Sequence, residues 1–206
     1  MPEIINLTQE FNRALEMSTK ILNDGGLIVF PTDTVYGLAA KYDILTAVRR
    51  IFLVKDRDQT KALPVIIGDI SQVDEVGYEI TETATRLMEK FWPGALTVVL
   101  RKNKNITTPL SQDDSIGIRI PNDKFVQLLS KKVGPLATTS ANISGLPSTT
   151  NVAEVLIQIG DFVDLIIDGG ESPGGVPSTV VDCRSNTIKI LREGAIPKDE
   201  IEKLNI

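Results

Sequence analysis

The chain has 206 residues, 42% of them hydrophobic and 24% charged, so it is long enough to bury a core and has the composition of a globular protein. Its net charge of −5 gives no general attraction to nucleic acid or to an anionic membrane. It has no histidine and one cysteine, Cys183, which excludes a Ser-His-Asp triad, an internal disulfide and the usual His/Cys zinc sites. Any chemistry is therefore expected to use Lys, Arg, Ser, Thr, Asp, Glu and backbone groups.

The N-terminal part of the sequence predicts a helix and then a buried strand. Apolar residues at helical spacing predict a helix over Thr8–Asn23. The apolar run Gly26–Phe30 predicts a strand that stops at Pro31, because proline cannot donate to a sheet ladder. The polar residues Thr32–Thr34 follow at the carboxyl end of this strand, where open α/β sheets bind their ligands. An ordinary Thr/Asp turn explains the same residues equally well.

Predicted helices and strands alternate along the rest of the chain. The further predicted helices are Leu45–Val54, Thr81–Phe91, one that contains Phe125–Leu129, Val152–Ile159 and Lys198–Leu204. The further predicted strands are Ala62–Ile67, Ala95–Leu100, Ser115–Ile120, Leu136–Thr139, Val163–Ile167, Thr179–Val181 and Ile188–Leu191. The charged segment 55–61 and the segments 148–151 and 171–177 are predicted loops. This alternation predicts an α/β fold with a mixed sheet, and we expect residues 1–206 to form a single domain.

Two groups of cationic and strand residues are candidates for binding anions. Lys55, Arg57 and Lys61 lie close together in sequence, which suits a polyphosphate, although a solvated loop is the alternative. The alternation in Ser115–Ile120 predicts that Ser115 and Arg119 share the face opposite to the isoleucines.

Two later segments carry further candidates. The small polar residues of Thr138–Asn142 follow a short strand and suit phosphate or a metal-bound water, or else cap the next helix. If the strands around Thr179 and Ile190 pair, Ser178 and Arg192 come close at one end of the sheet. The alternative is an ordinary hairpin with a surface arginine.

Taken together and in order, these segments resemble the YrdC-like family, the threonylcarbamoyl-AMP synthases of the tRNA t6A pathway. The matching stretches span most of the chain: PTDTVYGL at 31–38, KDR at 55–57, ALP at 62–64, FWPGALTVVL at 91–100, GIRIP at 117–121, TTSANISG at 138–145, PSTVVD at 177–182 and LREGAI at 191–196.

The resemblance implies an enzyme that condenses L-threonine, bicarbonate and ATP into threonylcarbamoyl-adenylate and releases pyrophosphate, a nucleotidyl transfer. It implies a twisted, open, mixed parallel and antiparallel sheet flanked by helices, with a large concave basic cleft. Mg²⁺ is expected to enter with ATP and to be held mainly through its phosphates. A separate threonylcarbamoyl transferase complex is the expected downstream partner.

The resemblance also assigns roles to individual residues. The family's K-x-R…S-x-N signature falls on the residues expected to be catalytic and to hold the ATP phosphates: Lys55, Arg57, Ser140 and Asn142. Further ATP contacts are expected from Ser115, Ser148 and Arg192. The expected threonine pocket consists of Thr32, Tyr36, Lys61, Arg119, Thr138 and Ser178. Lys61 and Asn122 depart from residues common in the family.

Two other functions fit the same fold: an RNA-binding module and a carbamoyl-transfer domain. The first predicts affinity for RNA that falls steeply with salt, and an RNA contact stays open for the synthase as well. No apolar run approaches the roughly 18 residues of a membrane span, so we expect no membrane contact and a cytoplasmic location.

Overall fold

Residues 2–173 and 175–204, which this computed structural model describes, form one mixed sheet flanked by helices. The strands are β1 (Glu3–Asn6), β2 (Ile28–Phe30), β3 (Gly37–Lys41), β4 (Val65–Ile66), β5 (Gly77–Tyr78), β6 (Leu96–Lys102), β7 (Ser115–Arg119), β8 (Leu136–Ser140), β9 (Leu165–Asp168), β10 (Thr179–Asp182) and β11 (Lys189–Arg192). The helices are α1 (Phe11–Asn23), α2 (Leu45–Val54), α3 (Val73–Val76), α4 (Glu82–Phe91), α5 (Lys124–Val133), α6 (Val152–Ile159) and α7 (Lys198–Glu202). Gly174, in the predicted loop 171–177, lies outside the described residues.

The sheet has the strand order β1-β9-β2-β3-β8-β4-β7-β6-β10-β11, and β5 pairs with β6 beside this path. The pairs β1–β9, β9–β2, β4–β7 and β6–β10 are parallel. The pairs β2–β3, β3–β8, β8–β4, β7–β6, β5–β6 and β10–β11 are antiparallel. The predicted mixed sheet is therefore confirmed, as is the predicted pairing of the last two strands.

Both faces of the sheet are buried at β2, which explains its continuous apolar run. Leu27 and Val29 pack in a cluster that includes residues of α2, α4 and α6. Ile28 and Phe30 point to the opposite face and pack in a second cluster with residues of α1 and α5. Fully burying such a side chain stabilises the fold by about 1.5–3 kcal/mol, so this strand anchors both layers.

The face under α1 and α5 is covered only in part, and its open part forms the wall of a cavity. Ile66 and Leu136 pack against residues of α5. Arg119, which pairs with Ile66, and Thr138, two residues after Leu136, lie on the same face but line the cavity. The sheet therefore continues from the core directly into the site.

The residues predicted to end a strand or to cap a helix do so in the structure. Strand β2 ends at Phe30, directly before Pro31. Helix α4 begins after Thr81, whose hydroxyl accepts a hydrogen bond from the Ala84 amide at 3.1 Å. No helix in the described part of the chain has the length and apolar character needed to cross a membrane.

Several elements differ from the prediction. Four elements were not predicted: strand β3, helix α3 and the short strands β1 and β5. Contacts with distant segments stabilise them, and their local sequences show no clear helix or strand pattern. β3, for example, reads GLAAK and pairs with β2 on one side and β8 on the other. The predicted strand Ala62–Ile67 is regular only at Val65–Ile66, and α1 begins at Phe11 rather than Thr8.

Candidate active site

A cavity of about 470 Å³ opens on the uncovered part of the sheet. Its wall includes residues of strands β3, β4, β6, β7, β8, β10 and β11 and of the loops that follow β2 and α2. Most of the predicted site residues line it: Thr32, Tyr36, Arg57, Ser115, Arg119, Thr138, Ser140, Ser178 and Arg192. The four others, Lys55, Lys61, Asn142 and Ser148, are not part of its lining.

Three guanidinium groups that influence one another electrostatically lie along the cavity: those of Arg57, Arg119 and Arg192. Burial lowers the pKa of Arg57, and the positive charge of Arg192 lowers it further. Burial and the charge of Arg119 lower the pKa of Arg192 in the same way. Like charges crowded in a partly desolvated site favour the binding of an anion, which relieves their repulsion.

Arg57 reaches the cavity from the loop after α2. Its Nη2 donates to the Ala62 carbonyl at 2.8 Å, and its Nε is buried without a partner among the described residues. Of the other guanidinium nitrogens, Nη2 is the one with a hydrogen bond among the described residues, so Arg57 retains hydrogen-bonding capacity for a ligand in the cavity.

Arg119 is held by three different partners. Its Nε donates to the Gly94 carbonyl at 2.9 Å, its Nη1 to the Thr34 hydroxyl at 3.1 Å and its Nη2 to the Asp33 carboxylate at 2.5 Å. The side chains of Arg119 and Asp33 are only 8% and 16% exposed. Burial lowers the pKa of Arg119, and the Asp33 carboxylate opposes that effect. The sequence placed Arg119 on the correct face but gave no sign of its partner Asp33.

The hydroxyl of Thr32 organises the loop after β2. It donates to the Val35 carbonyl at 2.8 Å and accepts from the amides of Thr34 at 3.1 Å and Val35 at 3.3 Å. Such a turn is the ordinary structural use of a threonine. The same turn nevertheless presents Thr34 to Arg119 at the cavity. The segment is therefore both an ordinary Thr/Asp turn and a part of the cavity wall.

Tyr36 forms a wall of the cavity and anchors a second loop. Its phenol donates to the Gly170 carbonyl at 2.6 Å and accepts from the Gly169 amide at 3.2 Å. Burial raises its pKa to about 12. The phenol is therefore neutral near pH 7 and has a structural rather than an acid–base part in this arrangement.

Ser178 and Arg192 meet at the end of the β10–β11 hairpin. Arg192 Nη2 donates to the Ser178 carbonyl at 2.8 Å, and the Ser178 hydroxyl lies 2.8 Å from that of Thr97 on β6. Gly194 makes this close approach feasible, since a Cβ there would lie 2.2 Å from the Pro177 carbonyl oxygen. The predicted proximity of Ser178 and Arg192 is confirmed.

The predicted lysine and asparagine of the K-x-R…S-x-N signature lie beneath the cavity wall. Lys55 Nζ donates to the Ser140 carbonyl at 2.6 Å and to the carbonyl and side-chain oxygens of Asn142. The Asn142 amide donates to the carbonyls of Ile143 at 2.9 Å and Leu146 at 2.8 Å. Burial, together with the positive charge of Arg57, lowers the pKa of Lys55 to about 7. Both polar heads are thus engaged inside the protein.

Lys61 and Ser148 are also away from the cavity lining. The Lys61 side chain is exposed, and Ser148 is half-buried in the segment before α6. Ser115 does line the cavity, but its hydroxyl donates to the Asp113 carboxylate at 2.5 Å.

A further group of charged residues in the cavity lining was not predicted from the sequence. It includes Asp113, Asp182, Arg184 and Lys189. Arg184 pairs with Asp182 at 2.7 Å and with Asp113 at 3.4 Å. Hydrogen bonding from Arg184 lowers the pKa of Asp182. Alternation along β10, which puts Asp182 on the same face as Val180, was the signal that could have found it. Among residues 2–173 and 175–204, no three His, Cys, Asp or Glu side chains cluster as a metal site.

The sequence profile of the Sua5/YciO/YrdC family, described as "Telomere recombination", matches residues 20–194. The chain belongs to this family.

The chain is similar to two curated members of the Sua5/YciO/YrdC family and to one solved structure. A threonylcarbamoyl-AMP synthase of Pyrococcus abyssi is 36% identical over 99% of this chain and 61% of its own length. A putative threonylcarbamoyl-AMP synthase of Methanocaldococcus jannaschii is 36% identical over 95% of this chain and 91% of its own length. The crystal structure of P. abyssi Sua5 complexed with L-threonine has a TM-score of 0.92 and 35% identity, over 99% of this chain and 60% of that chain.

The family match confirms the resemblance inferred from the sequence motifs, and the structural match confirms the fold. The chain spans about three-fifths of the length of the P. abyssi relative but most of the M. jannaschii one.

Proposed function

We propose that this chain condenses L-threonine, bicarbonate and ATP into threonylcarbamoyl-AMP and pyrophosphate. The observation that carries the proposal is the row of Arg57, Arg192 and Arg119 in one cavity, of which only Arg119 pairs with a carboxylate among the described residues. A polyphosphate and an amino-acid carboxylate together supply the negative charge that such a row favours.

The phosphates would lie against Arg57 and Arg192, beside Ser140. Arg57 has an unpartnered buried Nε, and the pKa values of both arginines are lowered by burial and by a neighbouring cation. Binding an anion offsets that unfavourable environment, and fixed guanidinium groups stabilise the charge that develops on phosphate during transfer. Magnesium enters as part of the MgATP substrate.

The threonine would lie at the Arg119 end, near Thr138 and Ser178. A guanidinium has five N–H donors, and Arg119 uses three of them on Asp33, Thr34 and Gly94. The remaining donors suit a carboxylate. Asp33 keeps the side chain oriented and so reduces the entropy lost when the substrate binds.

The proposed chemistry needs no histidine and no covalent enzyme intermediate. The threonine amine attacks bicarbonate, and loss of water leaves a carbamate. A carbamate oxygen then attacks the α-phosphate of ATP, the bond to the bridging oxygen breaks, and pyrophosphate leaves. Holding both substrates in line in one cavity supplies the proximity that such a two-substrate reaction requires.

The relatives support this proposal. Proteins 36% identical to this chain are named threonylcarbamoyl-AMP synthase, and a 35% identical structure contains L-threonine. The product would pass to a separate transferase that acts on tRNA.

The test is pyrophosphate release from MgATP, with and without L-threonine and bicarbonate. We expect release that depends on both, with serine a much poorer substrate. Arg57→Ala should lower the ATP-dependent rate by about tenfold to a hundredfold, the effect of one lost charged hydrogen bond, while the unfolding midpoint changes little. Release independent of threonine, or none at all, would contradict the proposal. RNA affinity measured against salt would then decide whether the protein is an RNA-binding module instead.

A further inference from the structure

The ammonium group of Lys55 is buried and fully engaged within the protein. The residue is only 1% exposed. Its Nζ donates to the carbonyl oxygens of Ser140 and Asn142 and to the Asn142 side-chain oxygen. These three acceptors match the three N–H bonds of a lysine ammonium. Within residues 2–173 and 175–204, no carboxylate forms a salt bridge with it.

We propose that Lys55 is a positioning residue, which ties the end of helix α2 to the turn after strand β8 and thereby holds Ser140 at the cavity wall. The kinetic part of this proposal rests on the function proposed above. Its structural part, the anchoring of the turn 140–146, does not.

The turn 140–146 is connected to the end of α2 by both side chain and main chain. Lys55 is the residue directly after α2, and its own carbonyl accepts a hydrogen bond from the Ser144 amide at 2.8 Å. The Lys55 side chain bonds to Ser140 and Asn142 in the same turn. The link therefore runs in both directions between two segments about 85 residues apart in sequence.

Asn142 completes the arrangement from within the turn. Its amide donates to the carbonyls of Ile143 and Leu146, while its side-chain oxygen accepts from Lys55 at 3.3 Å. The Ala141 amide donates to the Tyr36 carbonyl at 2.8 Å, which joins the turn to β3. Ser140 is the member of this turn that lines the cavity. Its position thus depends on a network whose buried donor is Lys55.

Direct contact between Lys55 and a phosphate would break this network. The ammonium would have to leave its acceptors, and buried carbonyls without a donor are unfavourable. Arg57, two residues later, differs in this respect, because it lines the cavity and has an unpartnered Nε among the described residues. The two cations of the K-x-R segment therefore have different tasks: Arg57 faces the ligand, and Lys55 supports the wall.

Hydrogen–deuterium exchange of the ligand-free protein tests the structural part. The variant Lys55→Met keeps most of the unbranched side chain and removes its terminal ammonium with the three donors. We expect peptides that cover 140–146 to exchange at least about tenfold faster than in the unchanged protein, while peptides in β9 do not change. Lys132→Met, the same change at an exposed lysine of α5, is the matched control and should leave 140–146 unchanged.

A second variant covers the case in which Lys55→Met does not fold. Lys55→Gln keeps two N–H donors without the charge, so we expect exchange of 140–146 between that of the unchanged protein and that of Lys55→Met. If only Lys55→Gln folds, faster exchange confined to 140–146 still supports the proposal, and unchanged exchange there overturns it.

Pyrophosphate-release kinetics test the positioning part. Lys55→Met should raise KM for ATP while KM for threonine stays the same, whereas a general loss of folded protein would lower kcat alone. Because Lys55 acts through Ser140, the double variant Lys55→Met/Ser140→Ala should raise KM for ATP no more than Ser140→Ala alone does. Additive effects, or unchanged exchange of 140–146 with a raised KM, would mean that Lys55 contacts the ligand directly. If the unchanged protein releases no pyrophosphate, the proposed function fails and the exchange data still decide the anchoring.

Discussion

The position of Arg119 in the site was predicted from the sequence, but its partner Asp33 was not. Its position on the polar face of β7 follows from the alternation of Ser115–Ile120. Its orientation follows from Asp33, which is 86 residues away in sequence and 2.5 Å away in space. A buried ion pair adds little net stability, but breaking it leaves a charge in a poorly solvated place. The pair is therefore better explained by the orientation it gives to the guanidinium group.

Arg119→Ala is expected to raise KM for threonine by about tenfold to a hundredfold and KM for ATP much less. It should also lower the free energy of unfolding by roughly 3–5 kcal/mol, because Asp33 is left unpaired. Steady-state kinetics and urea unfolding measure the two effects.

The double variant Arg119→Ala/Asp33→Asn separates these effects. It removes the unpaired charge, so stability should recover in part while KM for threonine stays raised. Recovery of both stability and KM for threonine would show that Arg119 affects threonine binding only through stability. If Arg119→Ala instead raised KM for threonine and KM for ATP equally, Arg119 would not belong to the threonine pocket.

Lys55 also links stability to pH. Its pKa is about 7 in the folded protein and 10.5 when unperturbed, so between these values the unfolded chain binds more protons than the folded one. Raising the pH through this window therefore stabilises the folded state. Relative to Lys55→Met, the free energy of unfolding should rise by about 1 kcal/mol per pH unit from about pH 7 to about pH 9.

Urea unfolding of both proteins across this range measures the difference, in which the other titrating groups cancel. Lys132→Met should instead run parallel to the unchanged protein. A constant difference between Lys55→Met and the unchanged protein would show that the ammonium is not protonated more weakly in the folded state.

At the scale of elements, the β10–β11 hairpin closes one end of the cavity. Arg192 reaches Ser178 across the hairpin, and Gly194 packs against the backbone of Pro177 and Ser178. The hairpin is irregular between Val180 and Val181, where its register shifts. Such shifts bend a strand and redirect its side chains.

Gly194→Ala should therefore disturb both the hairpin and the site. The added Cβ would lie 2.2 Å from the Pro177 carbonyl oxygen, so the backbone must move. We expect the free energy of unfolding to fall by about 1–3 kcal/mol and KM for ATP to rise several-fold, as Arg192 shifts. Ser185→Ala, an exposed change in the same hairpin, is the control. If Gly194→Ala lowered the free energy of unfolding but left KM for ATP unchanged, the conformation of the hairpin would not affect nucleotide binding.

At the scale of the whole molecule, a chain with a net charge of −5 has five cationic side chains in the lining of the cavity, those of Arg57, Arg119, Arg184, Lys189 and Arg192, beside the carboxylates of Asp113 and Asp182. Arg57, Arg119 and Arg192 influence one another electrostatically, whereas Arg184 is paired with Asp182 and Asp113. This distribution of charge favours a ligand with one strongly anionic part rather than a uniformly charged polymer.

Ionic strength should therefore affect the two substrates differently. KM for ATP should rise several-fold between about 0.05 M and about 0.5 M salt, because screening weakens its attraction to the arginines. KM for zwitterionic threonine should change much less. The measurement is pyrophosphate release at both salt concentrations with the other substrate saturating, and a similar change in both values would contradict this account of the cavity.

The sequence by itself determined the elements and motifs whose signals are local. Strand β2 and its end at Pro31, the cap at Thr81 and the polar face of β7 follow from burial, proline chemistry and period-two alternation within a few residues. The order of the motifs along the chain also sufficed to identify the family, and most of the predicted site residues do line one cavity.

Only the tertiary structure decided which of these side chains face the cavity and which are engaged beneath it. Lys55 and Arg57 are two residues apart and equally cationic, but Lys55 meets carbonyls 85 and 87 residues away and is buried by them. Strand β3 and the Asp33–Arg119 pair depend on contacts of similar range. Contacts between distant segments form only when the whole sheet assembles, so no local pattern in the sequence records them.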